Sequence, residues 1–139
     1  MAVRNKTYCS KKVEWAKMVN LTPHPITICD EKCHPVLTLP PSGRVARVRQ
    51  ERKMIKILQM IQRIDEVTED LVMVPVVETE FGEVEGLPDP RKGVVYLVSS
   101  VVLEAVKDKR KDVVAPDTGP GSVCRDENGR VVGVRYLRR

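Results

Sequence analysis

Apolar positions along this chain come in short runs of two periods. Val94–Val98 is continuous and rich in β-branched residues, the pattern of a strand buried on both faces. Ser99 and Ser100 follow as candidate helix N-caps, and Val102, Ala105 and Val106 recur at helical spacing. The basic run Lys107–Lys111 suits the negative end of that helix. Val113 and Val114 read as extended, and Pro116–Gly121 is a cluster of turn residues. Asp126–Gly129 then forms a turn between Val123–Arg125 and Val131–Leu137, a β-hairpin signature. Residues 93–137 therefore read as one strand–helix–strand–hairpin unit.

Upstream the same reading gives mainly strands. Val13, Trp15 and Val19 alternate, with Lys17 in register on the same face, and Trp15 is expected to pack against the domain. Ile26–Cys29 and Val36–Leu39 form the arms of a hairpin around Asp30-Glu-Lys32. In the strand Arg44–Gln50, Arg47 and Arg49 share one face roughly 7 Å apart, and Ala46 and Val48 point to the core. Met54, Ile57, Leu58, Ile61 and Ile64 fit a helical stripe of three turns. Leu71–Thr79 returns to β-type residues, with Pro75 marking an edge or a strand start. The expected fold is α+β: an antiparallel β-sheet core with hairpins and one or two helices, one of them near residues 100–110.

At 139 residues the chain is expected to form one domain, residues 19–139, behind a basic extension, residues 1–18. The first 12 residues read as a loose arm or a short added strand. Aromatic residues make up 4%, so the core must be built from Val, Ile and Leu. No run approaches the ~20 apolar residues of a membrane span, and the first 18 residues lack an apolar signal core, so a cytoplasmic location is expected.

Net charge +5 conceals an asymmetry. Nine acidic residues and no Lys or Arg lie between Asp65 and Pro90, leaving 24 basic and 10 acidic residues elsewhere. The basic body can attract phosphates. The acidic middle speaks against a nonspecific nucleic-acid coat and complements a basic surface of a second subunit.

Candidate chemistry is sparse. Cys29-x3-Cys33-His34 lacks the second pair that would complete a zinc site, so no metal is expected, and Cys29 and Cys33 read as flanking a turn. A disulfide across that turn would require an oxidising or hyperthermophilic setting. Asn20-Leu-Thr-Pro-His-Pro25 is stiffened by two prolines, and Asn20, Thr22 and His24 either form a binding element or satisfy a turn. Arg47 and Arg49 can grip phosphate bidentately or lie on a solvated face opposite the acidic middle. Phosphate-loop, dinucleotide, nucleophile-elbow and zincin motifs are all absent. The carboxylate pairs Asp65/Glu66 and Asp126/Glu127 sit in turn-like sequence, so neither an enzyme nor a cofactor is expected.

Several segments together resemble a family of small phage and prophage proteins, the first-type anti-Thoeris signal sponges. They are Asn20–Ile26, Pro41–Arg47, Thr79–Pro90, Tyr96–Ser100, Arg110–Asp117 and Val123–Gly133. The resemblance implies a non-enzymatic homo-oligomer, built from dimers into hexamers, that sequesters cyclic ADP-ribose isomers made by TIR-domain defence proteins. Related members also hold cyclic oligonucleotides. By motif position it implies ligand contacts from Arg47, Phe81, Arg110 and Arg125. Lys53–Asp70 and the extension 1–18 depart from the family pattern. The alternative reading is a nucleic-acid-binding module, or a structural protein of a virus or prophage.

Overall fold

The computed structural model describes residues 12–139; the arm or strand expected over the first 12 residues lies almost wholly outside them. In chain order the strands are β1 (Lys17–Asn20), β2 (Ile26–Cys29), β3 (Pro35–Leu39), β4 (Arg47–Arg63), β5 (Glu69–Glu85) and β6 (Val94–Leu97). Helix α1 (Ser100–Val106) follows, then β7 (Val113–Pro116), β8 (Val123–Arg125), β9 (Val131–Val134) and β10 (Leu137–Arg138). The α+β class is as expected, with one short helix among the described residues.

The chain divides into two compact units, so the single domain expected over 19–139 is interrupted. Residues 12–47 and 84–139 form the first, and Val48–Glu83 the second. The 18/19 boundary also falls inside β1, which already includes Lys17 and Met18.

The first unit holds two four-stranded sheets, ordered β1-β6-β7-β10 and β3-β2-β9-β8. Alongside the expected hairpins β2·β3 and β8·β9, three pairs run parallel: β1·β6, β6·β7 and β2·β9. α1 makes the crossover between β6 and β7, the βαβ arrangement that parallel neighbours require. Its N-cap is Ser99, whose hydroxyl accepts from the Val102 N–H at 3.4 Å. Val102, Leu103 and Val106 form its buried face. They share the core with Leu97, Val98, Val113 and Ala115, all 0% exposed, so β6 is the buried strand foreseen from its composition.

In the second sheet, β9 and β2 approach closely at Gly133. A Cβ there would stand 2.6 Å from Cys29 Sγ and 2.8 Å from Thr27 O, so only glycine fits. Cys29 is buried and free, while Cys33 pairs with Cys124 across 91 residues. The turn-spanning Cys29–Cys33 disulfide weighed from sequence is therefore replaced by one joining the β2–β3 turn to β8. Arg135 braces this junction, donating from Nη1 to Gly121 O at 2.6 Å and from Nη2 to Cys33 Sγ at 3.1 Å.

The second unit is a two-stranded ribbon of β4 and β5 joined through residues 64–68. The helical stripe over Met54–Ile64 is overturned: Met54 to Arg63 is strand within β4, and Ile64 begins the connection to β5. Its apolar residues also satisfy a period of two, Ile55, Ile57 and Ile61 on one side and Met54, Leu58 and Met60 on the other. Pairing with the β-rich Leu71–Thr79 decides between the periods. Pro75 is tolerated because both strands of a two-stranded sheet are edges. Asp65 closes the loop, accepting from the Val67 and Thr68 N–H groups, and these bonds hold its carboxyl below the usual range.

Trp15 is 90% exposed, contrary to the packing expected of it. Sheet pairing starts only at Lys17, whose N–H donates to Gly93 O at 2.7 Å, so the alternation before it has no sheet face to join.

Candidate functional site: a cationic cleft

The parallel register of β1 on β6 sets Lys17 beside Val94 and Val19 beside Tyr96. Side chains two apart on a strand share a face, so Lys17, Val19 and Leu21 line up opposite Val94 and Tyr96. These residues floor a cleft of about 400 Å³. Ser42 and Arg44, from the β3–β4 connection, and Pro88 and Arg91, from the segment before β6, complete its walls. Among the described residues, three cations thus line the cleft and no carboxylate does.

Each wall is held by a specific local device. The Ser42 N–H donates to Asn20 O and the Ala46 N–H to Leu21 O, which straps residues 42–46 along the end of β1. Asn20, 2% exposed, donates from Nδ2 to the carbonyls of His24 and Leu39. Its Oδ1 accepts from the N–H and the hydroxyl of Thr22. Of the two readings of this proline-stiffened segment, turn satisfaction is therefore the one realised by Asn20 and Thr22. His24 is exposed and contributes only its carbonyl to this network.

Arg110 braces the opposite wall. Its Nε and Nη2 donate to the two carboxylate oxygens of Asp112, each at 2.9 Å, and Nη2 also donates to Pro88 O at 2.8 Å. The guanidinium stands over the Tyr96 ring, 5.9 Å from its centre, a cation–π distance. The Tyr96 hydroxyl in turn donates to Asp89 O at 3.2 Å. Hydrogen bonds from Arg110 hold the Asp112 carboxyl below its ordinary value, against the opposing effect of burial. Arg110 thus fixes Pro88 and Tyr96, two lining residues, while most of its hydrogen-bonding capacity is used within the fold.

The other residues implied by resemblance lie elsewhere. Arg125 is exposed on β8, and its Nη1 donates to Gly129 O at 2.8 Å across the hairpin turn. Arg47 is exposed at the start of β4, and Phe81, 42% exposed, lies on β5. Neither Arg47, Phe81 nor Arg125 lines the cleft. The sequence carried one signal for it: Lys17, a cation in register with an apolar strand face. Arg44, read from sequence as the start of a strand, lies in the connection before β4, which begins at Arg47, and Arg91 lies in the segment before β6.

Among the described residues, no cluster of three or more His, Cys, Asp or Glu side chains could hold a metal ion. No described helix is long and apolar enough to cross a membrane. No family model, curated protein or solved structure matches this chain.

Proposed function

We propose that this chain is a non-enzymatic binding protein that sequesters a small phosphate-bearing nucleotide of the cyclic ADP-ribose type in the cytoplasm, countering TIR-based antiphage defence. The observation that carries this reading is the cleft lined by Lys17, Arg44 and Arg91 over Val19, Val94 and Tyr96, with no carboxylate in its lining. Guanidinium forks and an ammonium group suit a pyrophosphate, and an apolar floor suits a base or ribose. Its volume lies within the ~300–1,000 Å³ typical of small-molecule sites. Sequestration needs no acid, base or nucleophile; the lining hydroxyl of Ser42 is within 3.3 Å of both the N and the O of Arg44, as in a local turn. The sequence resemblance supplies the ligand class and a homo-oligomeric, dimer-based assembly.

Isothermal titration with a cyclic ADP-ribose isomer tests the assignment. Hydrogen bonds to charged groups are worth ~1.5–3 kcal/mol, so Arg44→Ala should weaken binding roughly 10- to 150-fold. Equal affinity of wild type and Arg44→Ala would remove the cleft from the account.

A further inference from the structure

We propose that the β4–β5 ribbon is an assembly arm covered by a second copy of this chain, the basic β4 of one copy lying beside the acidic β5 of the other. This inference is independent of the ligand. Every apolar side chain from Met54 to Ile61 is at least 45% exposed, from Leu58 at 45% to Ile61 at 69%. On β5, Leu71, Met73 and Val77 are 50–61% exposed. Since β4 carries its apolar residues on both faces, neither face of the ribbon is a natural solvent face. A two-stranded ribbon is marginal in water without a third strand or a packing surface. An apolar patch of this extent marks an interaction surface.

Charge identifies the occupant. β4 carries six Lys or Arg residues and one Glu, whereas β5 carries six acidic residues and no Lys or Arg. Laying β4 on β4 of another copy would oppose cations, and β5 on β5 would oppose carboxylates. Only β4 against β5 is complementary between copies, and the ribbon already uses that pairing internally at Lys53–Glu80, 3.8 Å, and Arg63–Glu69, 3.2 Å. The chain thus carries both halves of the interface.

Size is also adequate. Seventeen residues per strand span roughly 56 Å at ~3.3 Å each, and two strands are ~10 Å wide. Each face then offers ~560 Å², most of the ~800 Å² per partner of a standard interface.

Sedimentation velocity of the full chain at tens of micromolar provides the test. Wild type should sediment as an oligomer. Lys53→Glu with Lys56→Glu makes the middle of β4 acidic like β5, and Glu78→Lys with Glu80→Lys removes the acidic character from the middle of β5. Each double variant alone should self-associate at least ~10-fold more weakly, and an equimolar mixture should regain assembly, because opposite strands then meet between copies. Ile57→Ser keeps every charge and should also weaken self-association at least ~10-fold, with the thermal melting of the first unit unchanged. A monomeric wild type overturns the proposal, whether or not another partner binds the ribbon. Assembly of Ile57→Ser and the charge variants at wild-type strength overturns it as well.

Discussion

Arg110 and Arg125 are both arginines next to turns, yet the structure employs them differently. Arg110 grips Asp112 bidentately and reaches Pro88, so its removal should loosen the wall of the cleft as well as the fold. Arg125 closes only its own hairpin. Arg125→Ala should therefore leave ligand affinity within about twofold, whereas Lys17→Ala and Arg44→Ala should each lower it roughly 10-fold or more by titration. Asp112 adds a pH signature. Its carboxyl is depressed in the fold, so its contribution is fully present above the unfolded value of about 3.9 and is lost as pH falls through the depressed folded value. Asp112→Asn should lower the urea midpoint near neutrality, and the gap to wild type should close as pH falls below the ordinary carboxylate range. A gap that persists undiminished in acid would show that the pair does not stabilise the fold through its charge.

At the scale of elements, patterns were legible wherever local and tertiary demands agreed. The Ser99 cap, the buried β6, the turn at Asp126–Gly129 and the strand character of Val113–Val114 were all readable from sequence, because each depends on a few adjacent residues. The Met54–Ile64 segment was not. Apolar residues at 54, 55, 57, 58, 60 and 61 satisfy both periods, and only a partner 17 residues long resolves them. Trp15 misled for a related reason: alternation implies burial only where a sheet face exists to receive it. The disulfide depends on β2 and β9 pairing in parallel, a long-range event that brings Cys33 to Cys124, 5.5 Å apart at Cα. Cys124→Ser should cost about 2–4 kcal/mol in equilibrium unfolding under oxidising conditions beyond its smaller cost, from burying a hydroxyl, under reducing ones. An unchanged stability in both would show that the cross-link does not constrain the unfolded chain. Because such bonds persist in oxidising compartments and in hyperthermophile cytosol, cysteine oxidation in the cell of origin bears on location as well.

The whole molecule separates two tasks. Its first unit carries a cationic cleft whose walls are fixed by Asn20, Arg110 and Asp112, and its second is a ribbon with apolar faces and strands of opposite charge. The candidate site was less legible than the fold, because Arg44 and Arg91 act from loops and converge only once β1 pairs with β6. Resemblance pointed to arginines, but the cleft draws on different ones. The proposed function is capture of a nucleotide without chemical change. The most direct measurement incubates the protein with a cyclic ADP-ribose isomer, filters off the free ligand, heat-denatures the retained protein and analyses what is released by chromatography. Ligand should disappear from the filtrate in proportion to protein and return chemically intact on denaturation. A converted product in the filtrate, or a filtrate never depleted at micromolar protein, would contradict it.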